Sequence, residues 1–187
     1  ECQRHDLYIQ GFNEPSVIFN GKTLRLTPRQ VEILTVLALC PQGMSLDALH
    51  QAIYGERKVS QGTLKTEMSQ LRDTLTGLLG SRPYRLLMPI DGDFLRVEQS
   101  LNAGYLEAAI KLYTGIFFSK TESPFLCTWR TCLEARLSQA IYHSDQVDLL
   151  LMHLSNCPDA SDAIERLIEL MPDNLSIHQH LEVLSNR

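Results

Sequence analysis

Leu64, Met68, Leu71, Leu75 and Leu78 return at alternating steps of four and three, which stacks them in one stripe of a 3.6-residue period. The spacing predicts a helix over this stretch with one buried edge. Its opposite arc carries Gly62, Thr66, Ser69, Gln70 and Asp73, with Lys65 and Arg72 on one shoulder and Thr63 on the other. Upstream, Leu7-Tyr8-Ile9 and Val17-Ile18-Phe19 read as strands, and Asn20-Gly21 before Lys22–Leu26 is a strong short-range hairpin signal. A small antiparallel sheet therefore opens the chain.

Thr27-Pro28-Arg29-Gln30 has the form of a capping box, with Thr27 as N-cap, proline in the first turn and Gln30 reaching back. The helix it starts buries Val31, Leu34, Leu37 and Ala38 and stops at Cys40, before Pro41-Gln42-Gly43. Ser45 caps a second, shorter helix through Leu46, Leu49 and Ile53 that ends at Tyr54-Gly55. A basic loop, Glu56-Arg57-Lys58, leads to the third helix, capped by Ser60. Gly77 and Gly80 loosen its end, and Pro83–Met88 reads as a strand closed by Pro89.

Two short helices, a turn and a polar-faced third helix are the ingredients of a helix-turn-helix, and flanking strands make it winged. The run Leu24–Leu37, then Ser45-Leu-Asp-Ala-Leu49, Tyr54-Gly55 and Thr63-Leu-Lys-x-x-Met-Ser-x-Leu-Arg72 resembles the winged-helix DNA-binding domain of OmpR/PhoB-type regulators over residues 7–90. The antibiotic-regulator (SARP-type) branch of that family follows the winged helix with a bacterial transcriptional activator domain of helical hairpins. The fold class this implies is α+β then all-α: a winged helix-turn-helix with a small N-terminal antiparallel sheet, then a TPR-like helical domain. The expected domains are residues 1–90 and 91–187.

The second half suits that implication. Asp91 or Asp93 can cap a helix containing Phe94, Val97 and Leu101, and Ala103–Tyr113 is similar to the first helix of a tetratricopeptide-type unit. A longer amphipathic helix runs from Pro124 to about Ser144 through Leu126, Trp129, Leu133, Leu137 and Ile141. Ala160–Met171 and Leu175–Leu184 form two more, separated by a turn at Pro172-Asp173-Asn174. The family's usual Gly-Tyr wing tip is replaced by Pro83-Tyr84, so the expected wing is short. The second domain is small for a complete activator domain.

By resemblance, the third helix is the recognition helix. Lys65, Thr66, Ser69 and Gln70 are its expected groove contacts: Gln70 can pair with adenine through both ends of its amide, while Thr63, Thr66 and Ser69 bond base edges or phosphates. Arg57 and Lys58 before the helix, and Arg82 and Arg85 in the wing, are expected on backbone phosphates. Arg72 suits either DNA contact or bracing of the domain. Double-stranded DNA is the expected partner, and the second domain is left to dimerisation as a homodimer, regulation, or contact with RNA polymerase.

Composition tempers the picture. At 187 residues, with 44% hydrophobic and 21% charged side chains, the chain is ordinary globular material. The net charge of −5 opposes a polyanion, but it is unevenly spread: residues 1–90 hold ten basic against eight acidic side chains, a balance of +2 that leaves −7 for the rest. Glu67 and Asp73 beside the third helix repel phosphate, so weak, strongly salt-dependent binding by one copy is expected. A protein-interaction module whose winged helix does not bind DNA is the alternative.

No apolar run approaches the roughly 20 residues that span a bilayer, and the start lacks the features of a signal peptide, so the expectation is a cytoplasmic protein with no membrane partner. A first residue of Glu1 suggests a piece of a longer protein whose upstream sensor domain is missing. Five cysteines, Cys2, Cys40, Cys127, Cys132 and Cys157, contain no Cys-x-x-Cys pair, and Cys127 and Cys132 read as packed on different flanks of a helix. His178-x-His180 lacks partners at a metal spacing and reads as a surface pair. With no phosphate loop and no nucleophile elbow, neither enzyme activity nor a cofactor or metal is expected. Phe117, Phe118, Phe125 and Trp129 are taken as core before they are taken as a partner-binding patch.

Overall fold

A computed structural model of the chain describes residues 6–172. A small N-terminal sheet is followed by helices, and the chain divides into two compact units. The first takes residues up to Leu95 together with Phe117–Arg130; the second takes Arg96–Ile116 and the residues from Thr131 onward.

In the first unit, β1 (Leu7–Gln10) pairs antiparallel with β2 (Ser16–Phe19), which pairs with the two-residue β3 (Lys22–Thr23). Asn20 and Gly21 make the connection with φ of 51° and 75°, the two positive values that this tight turn requires. The expected strand through Leu26 is cut to Lys22–Thr23. Leu7 and Ile9 alternate inward from β1, which explains its position in the sheet.

Three helices follow: α1 (Pro28–Leu39), α2 (Leu46–Tyr54) and α3 (Gln61–Thr74). Thr27 and Gln30 form both halves of the capping box, with Gln30 N donating to Thr27 Oγ1 (3.2 Å) and Thr27 N to Gln30 Oε1 (3.1 Å). Ser45 and Ser60 cap the next two helices as expected. Every residue from Gln30 to Ala38 is buried, so α1 is the helix around which this unit packs. The helix α3 stops at Thr74, with Leu75 already its C-cap and Leu78 beyond it, so the five-residue stripe is helical only over its first three positions.

A hairpin of β4 (Leu79–Ser81) and β5 (Tyr84–Leu86) turns through Arg82-Pro83, and Met44 bridges to Tyr84 by two backbone bonds of 2.9 Å. The expected strand over Pro83–Met88 is thus one arm of a hairpin with a two-residue turn. Beyond Pro89, β6 (Ile90–Gly92) runs parallel to β1 and gives the sheet order β3-β2-β1-β6. Local pattern offers no sign of this pairing, because its partner lies more than eighty positions earlier.

Helix α4 (Asp93–Asn102) begins with Asp93, whose Oδ1 accepts from Gly11 N (2.7 Å) and whose Oδ2 accepts from Phe12 N (3.2 Å). Burial pushes the Asp93 carboxyl up from its ordinary range, and the bonds donated by Gly11 and Phe12 oppose that push. Asp91 instead accepts from Gly92 N.

Residues 117–130 act as a strap on this unit. Phe117 is fully buried, with ring centroids 6.0 Å from Phe12, 5.2 Å from Phe94 and 4.6 Å from Trp129. A Cβ on Gly11 would come within 2.6 Å of the Phe117 ring, so only glycine fits there. Polar bonds hold the rest of the strap: Thr121 Oγ1 donates to Glu32 Oε1 (2.5 Å), and Ser123 Oγ to Ala52 O (2.8 Å). The aromatic residues are core, though Phe125 and Trp129 stay half-buried.

The second unit contains the rest of α4, α5 (Leu106–Leu112), most of α6 (Pro124–Tyr142), α7 (Val147–Asn156) and α8 (Ser161–Leu170). Helix α5 begins after the turn at Gly104, later than the Ala103 start expected. Helix α6 buries Leu126, Leu133, Leu137 and Ile141 as its spacing predicts. Helix α7 is not expected from the sequence, and α8 matches the expected Ala160–Met171 helix. Cys132 is exposed, not packed, because it lies on the side of α6 away from Leu133 and Leu137. The Leu175–Leu184 helix, His178, His180 and Cys2 lie outside the described residues, as does the end of the Pro172-Asp173-Asn174 turn.

Candidate nucleic-acid interface

Leu64, Met68 and Leu71 anchor α3 in the core, and this leaves Thr63, Lys65, Thr66, Ser69 and Gln70 exposed on its outer side. Ser60 fixes the start of that face: its Oγ accepts from Thr63 N (3.3 Å) and lies 3.2 Å from Thr63 Oγ1. Gln61 bonds Asp47 of α2 through its amide, tying the two helices together at the same end.

Hydrogen bonding sorts the expected contacts into two groups. Lys65 and Ser69 have side chains with no hydrogen-bond or ion-pair partner among the described residues, and the same is true of Lys58, Arg82 and Arg85, all exposed. The others are engaged. Thr66 Oγ1 donates to Gly62 O (3.1 Å), one turn back along its own helix, which commits the hydroxyl of this exposed residue to the backbone. Gln70 Oε1 accepts from Gln30 Nε2 (3.0 Å).

Gln30 Nε2 also reaches Glu67 Oε2 (2.9 Å). The buried amide of α1 therefore holds both Glu67 and Gln70 toward one flank of α3. Glu67 is half-buried, so this acid presents less charge outward than its place in the sequence suggests, whereas Asp73 is exposed. From sequence Gln30 is recognisable only as a capping residue; its i,i+3 position relative to Thr27 hides the long-range bond.

Arg72 braces the unit: its Nε donates to Leu79 O (3.0 Å), joining the end of α3 to the hairpin strand β4. Arg57 is paired with the strap, its Nη1 lying 2.6 Å from Glu122 Oε2 and its Nη2 donating to Glu122 O (2.9 Å). Neither is a free cation in this structure. Among the expected contacts, the exposed, uncommitted cations are Lys58, Lys65, Arg82 and Arg85, contributed by the loop before α3, by α3 itself and by the hairpin.

Among the described residues no group of three or more His, Cys, Asp or Glu side chains has the arrangement of a metal site, and no helix is long and apolar enough to cross a membrane.

No protein-family model matches the chain. A Rhodococcus erythropolis protein described as an uncharacterized 47.3 kDa protein in the thcA 5' region is 28% identical over 155 residues, covering 82% of this chain and 35% of its own length. The chain thus spans about a third of that relative. Among solved structures, Mycobacterium tuberculosis EmbR in complex with a low-affinity phosphopeptide aligns with a TM-score of 0.56 at 18% identity, over 98% of this chain and 66% of EmbR. The likeness is one of fold: a small N-terminal sheet followed by helices, as in EmbR.

Proposed function

We propose that the chain is a DNA-binding transcriptional regulator of the SARP type, with residues 1–90 as a winged helix-turn-helix and residues 91–187 as a TPR-like activator-type domain. The EmbR-like fold supports this reading, and so do the family-like residues of α1 to α3. One observation carries it: α3 turns an uncommitted Lys65 and Ser69 outward from a fully buried Leu64–Met68–Leu71 edge, with exposed Lys58, Arg82 and Arg85 on the elements beside it. A helix with short polar side chains and a lysine on its outer face suits the major groove, and flanking cations suit phosphates.

In this reading Lys65 and Ser69 carry the groove contact, with Thr63 at the N-terminal end of the helix and the Thr66 methyl available to a thymine methyl. Lys58, Arg82 and Arg85 grip phosphates. Arg57 joins them only on leaving Glu122, and Gln70 reads adenine only on giving up Gln30. Arg72 serves by holding α3 to the hairpin. The acidic second domain serves as a homodimer contact or as a surface for RNA polymerase; the assignment is to regulation in the cytoplasm, without catalysis.

The test is a mobility-shift titration of the 187-residue chain on its own promoter DNA, comparing Lys65→Ala, Ser69→Ala and Gln70→Ala. Ser69→Ala is expected to weaken binding at one base step by about 1 kcal/mol, the size of one hydrogen bond, and Gln70→Ala to weaken it less. Equal binding by all three variants and the wild-type chain contradicts the proposal.

A second reading, a protein-interaction module without DNA binding, is favoured by the net charge of −5 and by a hairpin that turns in only two residues. It predicts duplex binding no tighter than that of an unrelated acidic protein.

A further inference from the structure

The second unit contains a cleft of about 440 Å³ between the end of α5, the middle of α6 and the turn that follows α7. That volume falls in the range of small-molecule sites. Among the described residues its charged lining is entirely acidic, Glu134 on α6 and Asp159 in the turn, with no lysine or arginine beside them. Leu137, Pro158 and the ring of Tyr113 supply an apolar wall beside them.

Two acceptors beside this cleft lack partners among the described residues. Glu134 Oε1 accepts from the Tyr113 hydroxyl (3.2 Å), while Oε2 accepts from no described residue. His153 is only 6% exposed, its ring lies 6.3 Å from that of Tyr113, and its Nδ1 is shut off from solvent with no hydrogen-bond partner. A buried polar atom left without a partner is uncommon in folded proteins and asks for an explanation. Burial holds the His153 ring below its ordinary range, with Asp162 partly opposing, so the imidazole in this wall favours its neutral form. With its proton on Nε2, Nδ1 is an acceptor.

The geometry points to a binding site for a small organic amine with a compact apolar body, its ammonium on Glu134 and Asp159 and its hydrocarbon part against Tyr113, Leu137 and Pro158. An ammonium brings three donors and no acceptor, which matches a wall whose open valences are acceptors. An anion of the same shape meets two carboxylates and no cation. A neutral alcohol of the same shape leaves the carboxylate without its counter-charge and binds more weakly than the amine. This assignment stands apart from the DNA-binding reading, since every group it uses lies in the second unit.

The experiment is an amide and imidazole NMR titration of the 187-residue chain with phenylethylamine, tryptamine and cyclohexylamine, alongside phenylpropanoate and phenylethanol. The amines are expected to shift the signals of His153, Cys157 and Tyr113 saturably, the alcohol to bind more weakly and the acid not at all. Glu134→Gln keeps an acceptor for the Tyr113 hydroxyl and is expected to weaken the amines on the order of tenfold. Asp159→Asn, in an exposed turn, is expected to act in the same direction with a smaller effect, and it serves as the readout if Glu134→Gln does not fold. The proposal is overturned if no amine saturates at millimolar concentration, if the acid binds as tightly as the amines, or if the folded variants bind them as the wild-type chain does.

Discussion

The helices of the first unit start on side-chain caps, and those lying wholly within the second do not. Thr27, Ser45 and Ser60 each accept a backbone N–H from the first turn of α1, α2 and α3, whereas Tyr105, Gln146 and Ala160 precede α5, α7 and α8 without any such bond. Capped helices carry local information about where they begin. Uncapped ones depend on packing for their boundaries and more of their stability. Beside the β1–β6 pairing, the first unit is therefore specified at short range almost everywhere except where its strap closes over Gly11. The second is specified by its apolar faces: Ala109 and Ile110 on α5, Leu150 and Leu154 on α7, Ala163 and Leu167 on α8.

The largest expected effect breaks the exception in the first unit. Phe117→Ala removes the ring shared by Phe12, Phe94 and Trp129 and is expected to cost about 3–5 kcal/mol, read by denaturant unfolding. Gly11→Ala forces a methyl into the same ring and is expected to cost about 1–3 kcal/mol. A fragment ending at residue 95 lacks the strap and is expected to bind a hydrophobic dye that the full chain does not bind. Native-like unfolding of that fragment would show that the strap is dispensable.

The caps come next. Thr27→Ala and Ser45→Ala are each expected to lower the stability of the first unit by about 1 kcal/mol, and Gln146→Ala to leave α7 within about 0.5 kcal/mol. Equal losses at all three positions would erase the contrast.

A smaller effect separates the units by pH. The folded His153 sits below its unfolded value near 6.5, so the unfolded chain binds the proton more readily, and stability of the second unit falls as pH drops below that value. Histidine signals followed from pH 7.5 to 5, with melting temperatures in parallel, check this. In His153→Leu the acid-side slope attributable to this residue is expected to vanish.

What the residues disclose in advance follows the same contrast. The Asn20-Gly21 turn, the Thr27 capping box and the Ser45 and Ser60 caps are readable because each is completed within three or four positions. β6 is not, since Ile90-Asp91-Gly92 is three residues long and acquires its strand identity only from β1. α7 is not legible either, because Val147-Asp-Leu-Leu-Leu-Met152 has no capping residue and a nearly continuous apolar run, which does not betray a period. At the candidate interface, the exposed face of α3 follows from its period. The commitments of Gln70 to Gln30, Arg72 to Leu79 and Arg57 to Glu122 do not, because each joins elements that meet only in the folded unit. Those commitments narrow the uncommitted side chains of the expected contact set to Lys58, Lys65, Ser69, Arg82 and Arg85.

The central claim is that the outer face of α3 grips duplex DNA, and its most direct test is the salt dependence of binding by the 187-residue chain and by Lys65→Ala. The account predicts that log affinity falls linearly with log salt, and that Lys65→Ala weakens binding to every duplex sequence and lowers the slope by about 1. Binding that is insensitive to salt, or a Lys65→Ala chain with the wild-type affinity and slope, contradicts it.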